Sequence, residues 1–167
     1  LLRRDSAPPL VGERALAVGD RVSQYRVLAR LGEGGMGSVY KVEHVALGRE
    51  FALKALHAHI LSRDPDSAAA LLREARAAAR IKHPGIVDVF DFGHLVDGRP
   101  YVVMELLAGT SLTDLLEDGA LDPRTAMSIA RQLASALGAA HERGVIHADV
   151  SPSNVLVEQT PDGPHAK

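Results

Sequence analysis

At 167 residues the chain has room for one ordinary domain, or for one complete lobe and part of a second. Hydrophobic residues make up 46% of it, enough for a real core, while a formal net charge of −2 with dispersed basic residues argues against nucleic acid or a membrane as the main partner. The absence of cysteine excludes disulfide scaffolds and thiolate metal sites, and no apolar run or signal-peptide pattern marks a membrane span or export, so a soluble, cytoplasmic protein is expected.

Residues 1–22 carry Pro8-Pro9, scattered charge and little periodicity, which predicts a flexible lead-in. Polar and apolar residues roughly alternate over 25–31, as in a half-buried strand. There follows Leu31-Gly32-Glu33-Gly34-Gly35-Met36-Gly37-Ser38-Val39, with four glycines in six residues. Such a stretch can turn tightly and bring backbone N–H groups close to a phosphate chain. It is equally compatible with an ordinary glycine-rich hairpin. A dinucleotide-binding loop leads from a strand into a helix, whereas here Val39, Lys41, Glu43 and Val45 continue as a strand and 51–56 forms another. Strand, glycine loop and strand together fit a flap folded over a nucleotide.

In Phe51-Ala52-Leu53-Lys54, period two puts Lys54 on an apolar side with Ala52 and Leu56. An ammonium group among apolar neighbours needs a partner or a ligand, unless it snorkels from a strand end. One long helix is predicted next, capped by Asp64, opened by Pro65 and running to about Ile81, before His83-Pro84-Gly85 stops it. At ~100° per residue, Arg73, Arg76 and Arg80 share one side. Glu74 falls in the apolar arc of Leu71, Ala75, Ala78 and Ile81, so it is the carboxylate expected to pair with Lys54.

Two strands, 86–92 and 100–105, are joined by an Asp97-Gly98 hairpin signal, and the segment from Glu105 to Gly109 reads as a linker between sub-domains. A short helix is predicted over 111–117. A long one is capped by Asp122, opened by Pro123 and closed by Gly144, with Ala126, Ile129, Ala130, Leu133, Leu137 and Ala140 as its buried stripe. Last comes His147-Ala148-Asp149-Val150-Ser151-Pro152-Ser153-Asn154, directly before an apolar run. Asp149 can accept a proton from a hydroxyl, and Asn154 can ligate a hard cation through its carbonyl oxygen. The eight histidines and Asp91 show no metal-ligand spacing.

In this order, the glycine loop with Val39, the Phe-Ala-Leu-Lys strand, Glu74, His83-Pro84-Gly85-Ile86-Val87, Met104-Glu105 and the His-x-Asp-(x)4-Asn loop resemble the protein kinase domain over about residues 22–167. The flavour is that of bacterial serine/threonine kinases of the eukaryotic-like type. The resemblance implies an α+β, bilobal fold: a flexible segment over 1–22, an antiparallel β N-lobe with one long helix over 23–105, and the hinge and start of a helical C-lobe over 106–167. It implies ATP and Mg2+ as cofactors and Ser/Thr hydroxyls of proteins as acceptors, in a signalling role, with no nucleic-acid or membrane contact from this segment. Leu31, Gly32, Glu33, Gly34, Gly35, Met36, Gly37, Ser38 and Val39 would cover the ATP phosphates, and Val39 and Ala52 would sandwich the adenine. Lys54, oriented by Glu74, would hold the α- and β-phosphates. Met104 would guard the back of the adenine pocket, and the Glu105 and Leu107 backbones would bond the base. Asp149 would orient and deprotonate the substrate hydroxyl, and Asn154 would bind Mg2+.

Three departures stand out. Ala148 replaces the arginine that answers an activation-loop phosphate, and Ser151 replaces a lysine near the transferred group. The chain also starts without Met and stops at Lys167, before an Asp-Phe-Gly segment, so a piece of a longer protein, inactive alone, is expected. Two other readings compete. A small-molecule phosphotransferase of the aminoglycoside or choline kinase type also lacks the arginine, and a pseudokinase would bind nucleotide or a partner without transfer.

Overall fold

The computed structural model describes residues 14–63 and 66–167. Arg21–Val22 (β1), Tyr25–Glu33 (β2), Gly37–His44 (β3) and Arg49–Leu56 (β4) are followed by two helices, Ala58–Arg63 (α1) and Asp66–Ala78 (α2). Val89–His94 (β5) and Pro100–Met104 (β6) complete a six-stranded antiparallel sheet ordered β1-β2-β3-β4-β6-β5. The Asp97-Gly98 hairpin forms as expected, with Gly98 at φ +85° and its N–H donating to the Leu95 carbonyl at 2.9 Å.

Period two decides which face is core. Phe51, Leu53 and Ala55 of β4 join Val27, Tyr40, Val42, Tyr101 and Val103 in one buried cluster. Leu53 is fully buried, at 0% exposure. Leu53→Ala is expected to cost about 2–5 kcal/mol through lost transfer energy and a cavity, read from chemical denaturation. An unchanged midpoint would place Leu53 outside the core.

The described part of the expected flexible lead-in, residues 14–22, is instead tied down. Arg99, 4% exposed, donates from Nε to Asp97 at 2.8 Å and from an Nη to the Arg14 carbonyl at 2.7 Å. Leu16 packs on the buried cluster, and the Gly19 N–H donates to the Val27 carbonyl at 2.9 Å. A buried guanidinium needs acceptors, and a backbone carbonyl upstream supplies one, so the segment is ordered without any periodicity of its own.

The expected long helix forms as α2 but ends earlier, and a second helix precedes it. Residues 58–63 form α1, which the sequence pattern does not announce. The helix α2 ends at Ala78, where the Arg80 and Ile81 N–H groups bond back only three residues, to Ala77 and Ala78. Pro84 then disfavours helical backbone at His83. The expected cap, Asp64 and Pro65, lies outside the described residues.

Beyond β6 come Thr110–Ser111 (β7), Leu112–Glu117 (α3), Pro123–His141 (α4), a 3-10 turn at Pro152–Asn154, Leu156–Thr160 (β8) and Gly163–Ala166 (β9). The last three strands form a small antiparallel sheet ordered β7-β8-β9. Asp122 caps α4 by accepting N–H bonds from Arg124 at 3.0 Å and Thr125 at 3.1 Å. Hydrogen bonds led by Thr125 hold its carboxyl below the ordinary value. The cap is therefore at full strength above the usual carboxylate range and is lost as pH falls through the lowered value. Gly144, at φ +72°, ends the turn after α4. Ile129, Val155, Val157 and Ala166 form the core here, backed by Leu112, Leu115, Leu121 and Leu133. Of the expected stripe on α4, Ala126 and Ala130 are exposed, because the buried line runs through Ile129, Ala136 and Ala140 instead.

The chain divides into two compact units, one reaching to Arg76 and including Val89–Leu106, the other made of Ala77–Asp88 and Leu107–Lys167. Among the described residues, no helix is long and apolar enough to cross a membrane.

Candidate active site

In the first unit the face of the sheet opposite the core collects the expected nucleotide-binding side chains. Lys54 pairs directly with Val39 on one side and Val102 on the other, and Ala52 pairs with Lys41 and Met104. Direct partners and residues two apart share a face, so Val39, Ala52, Lys54 and Met104 lie together. Lys54 is half-buried and, among the described residues, makes no hydrogen bond or ion pair. An ammonium group so placed suits an anionic ligand. Ser38 pairs with Ala55, hence sits on the core side, where it is 5% exposed and accepts from Arg30 at 3.2 Å. Any part Ser38 plays at a nucleotide falls to its backbone.

Leu31, Gly32, Glu33, Gly34, Gly35 and Met36 are exposed. Glu33 is ion-paired with Arg30. None of the loop glycines has a left-handed φ, so conformational freedom is not what most of them supply. Gly37 is the exception on other grounds: a Cβ there would lie 2.3 Å from the Ala55 carbonyl oxygen. Gly37→Ala should therefore force β3 and β4 apart at about 1–3 kcal/mol in a denaturation midpoint, whereas Gly35→Ala, with nothing within 4 Å of the added carbon, should leave stability unchanged. Equal stability of the two variants would show that the close approach is not real.

His57, just past β4, holds this loop. Its N–H donates to the Met36 carbonyl at 3.0 Å, and its ring Nε2 lies 3.2 Å from the Gly34 carbonyl and 3.6 Å from a Glu33 carboxylate oxygen. Sequence reasoning missed it, because a lone histidine after a strand carries no motif.

The expected partner of Lys54 is not where the helical wheel put it. Glu74 is exposed, and no ion pair joins it to Lys54. The reason lies in what α2 presents to the sheet. Arg76 stands over the Phe92 ring, 5.2 Å from its centroid, and Phe92 pairs with Val102 in the same cross-strand row as Lys54. Glu74 and Arg76 project about 160° apart on a helix, so a cation over Phe92 turns the carboxylate away. Bringing Glu74 to Lys54 requires α2 to rotate about its own axis.

Met104, at the end of β6, and Glu105 and Leu107, on the segment that follows it, are half-buried. In the second unit, Leu107 also lines an open groove of about 500 Å³ with Ala108, Gly109, Thr110, Val157, Glu158 and Gln159. Glu158 is the one ionisable side chain among these residues, so the groove brings no titratable pair together and the chemistry belongs elsewhere.

That place is the loop from His147 to Asn154. Ala148 has φ +58°, uncommon for a residue with a side chain, and the turn it makes lets the Asp149 N–H donate to the His147 carbonyl at 2.8 Å. Backbone strain of this kind is kept where geometry matters. The 3-10 turn then returns the chain, so that Asn154 Nδ2 donates to the Asp149 carbonyl at 2.9 Å and to its Oδ2 at 3.0 Å. Two acceptors on one side fix the amide orientation. Oδ1 of Asp149 and Oδ1 of Asn154 make no hydrogen bond among the described residues, and both residues are exposed. A carboxylate oxygen and an amide oxygen are thus left open side by side on one loop. Ser151 bonds Ser153 between their hydroxyls at 2.9 Å and brings no charge.

Residues 25–164 match the family model for the protein kinase domain. The chain belongs to the protein kinase family. This kinase chain is 42% identical over 144 residues to serine/threonine-protein kinase Pkn2 of Myxococcus xanthus, and 44% identical over 140 residues to serine/threonine-protein kinase PknE of Mycobacterium bovis. The matches take in 86% and 83% of the kinase chain but only 17% and 24% of those relatives. The crystal structure of the Mycobacterium tuberculosis PknI kinase domain superposes with a TM-score of 0.78 at 32% identity, over 91% of this kinase chain and 61% of that one. The fold is accordingly protein-kinase-like, an antiparallel sheet unit followed by a unit built on helices. Kinases of this family use ATP and Mg2+ in general.

Proposed function

We propose that the protein carrying this chain transfers the γ-phosphoryl group of ATP to Ser or Thr hydroxyls of other proteins, as a bacterial signalling kinase acting in the cytoplasm. The observation that carries the reading is the Asn154 amide bonded to Asp149, which leaves one oxygen of each open on an exposed loop of a kinase-family chain. On this reading residues 23–105 form the nucleotide-covering lobe and 106–167 the hinge and first part of the catalytic lobe.

The roles follow from charge and reach. Phosphoryl transfer has a loose transition state, so positioning and charge neutralisation supply most of the acceleration. Lys54 balances the α- and β-phosphates, the loop from Leu31 to Val39 covers them, and Ala52, Val39 and Met104 enclose the adenine. The Glu105 and Leu107 backbones bond the base. Asp149 Oδ1 accepts the proton of the substrate hydroxyl while Oδ2, held by Asn154, keeps the carboxylate aimed. Asn154 Oδ1 is a hard donor suited to Mg2+, which when bound offsets phosphate charge. Glu74 reaches Lys54 after rotation of α2.

Ala148 and Ser151 favour a second reading, a nucleotide-binding module without transfer, since no lysine or arginine stands on the loop beside Asp149. Radiolabelled ATP given to the full-length protein with a generic protein substrate, an aminoglycoside and choline separates the possibilities. Mg2+-dependent label on the protein substrate alone is the expected result. Label on a small molecule overturns the substrate class, and binding without label supports the module.

A further inference from the structure

We propose that His57 is a positioning residue for the phosphate-covering loop, a role that rests on reading the site as an ATP site. Nε2 faces two oxygens that can only accept, the Gly34 carbonyl at 3.2 Å and the Glu33 carboxylate at 3.6 Å, so it must carry the hydrogen and the ring donates. The ring is 12% exposed and stacks on His59, with centroids 5.3 Å apart and planes within 19°.

The consequence for the loop follows from peptide planarity. The peptide bonds of this loop are trans, so the carbonyl of one residue and the N–H of the next point opposite ways. Drawing the Gly34 carbonyl toward His57 turns the Gly35 N–H away from it. Drawing the Met36 carbonyl toward the His57 N–H does the same for Gly37, whose own carbonyl bends back to accept from the Gly34 N–H at 2.9 Å. Two of the loop's carbonyls, those of Gly34 and Met36, are thereby withdrawn to the end of β4, where they cannot repel phosphate oxygens. The N–H groups of Gly35 and Gly37 are turned away from the end of β4, as donors the loop can offer. The backbone bond from the His57 N–H is kept in a leucine or glutamine variant, so such a variant isolates the ring.

The test compares wild type, His57→Leu and His57→Gln in the full-length protein, measuring KM for ATP, kcat, and the binding of ATP, ADP and adenosine. His57→Leu is expected to raise KM for ATP and weaken ADP binding about tenfold, the worth of one positioned hydrogen bond, with kcat within about twofold and adenosine binding unchanged. His57→Gln, whose amide N–H reaches the place of Nε2, should restore both to within about twofold of wild type. The role is overturned if Leu matches wild type, if adenosine weakens as much as ATP, or if Gln is no better than Leu. Wild type that binds no nucleotide at all overturns the ATP-site reading itself, a result distinct from the other three.

Discussion

Asp149→Asn is expected to lower phosphoryl transfer by at least ~10²-fold, the usual worth of a positioned general base. The substitution keeps the size of the side chain and an oxygen to accept from Asn154 Nδ2, so the hydrogen bond at 3.0 Å can persist. What it removes is the ability of the open oxygen to take a proton and the charge that holds the hydroxyl. Initial rates at saturating ATP and protein substrate are the measure, with ATP binding as the control. A rate within a few-fold of wild type would mean that Asp149 is not the base.

Lys54→Met should have a comparable effect by another route. Lys54 makes no ion pair among the described residues and is half-buried beside Val39 and Val102, so a methionine of similar length can fill its place without orphaning a partner. Stability should barely change. On the proposed role of Lys54, transfer loses a cation for the phosphates, and kcat/KM for ATP should fall by about 10²-fold or more, as when a single charge-stabilising donor is removed elsewhere. Thermal denaturation of the two proteins guards against misfolding as the cause. A rate unchanged at both limiting and saturating ATP would remove Lys54 from the site.

The fold was readable wherever a period or a cap was local. Alternation placed Lys54 opposite Leu53, Asp97-Gly98 marked a hairpin, and Asp122 with Pro123 marked the start of α4. Failures came where a tertiary partner decided the outcome. Glu74 fell in the apolar arc of a wheel, yet α2 presents Arg76 to Phe92, a contact no wheel can foresee. Residues 14–22 have no pattern, but a buried Arg99 recruits the Arg14 carbonyl. The loop glycines looked alike in sequence, and only the backbone of Ala55 distinguishes Gly37 from the rest. His57 was invisible because its acceptors lie more than twenty residues upstream. The pair of Asp149 and Asn154 was legible as chemistry from spacing alone. Their mutual hydrogen bond and the turn at Ala148 depend on how the chain folds back, which spacing alone does not carry.

Phosphoamino acid analysis of a protein substrate incubated with radiolabelled ATP and the full-length protein, wild type and Asp149→Asn in parallel, tests the central claim most directly. The expected result is Mg2+-dependent label on serine or threonine with wild type and its near-complete loss with the variant. Label on tyrosine, no label on protein with wild type, or equal label with both proteins would contradict it.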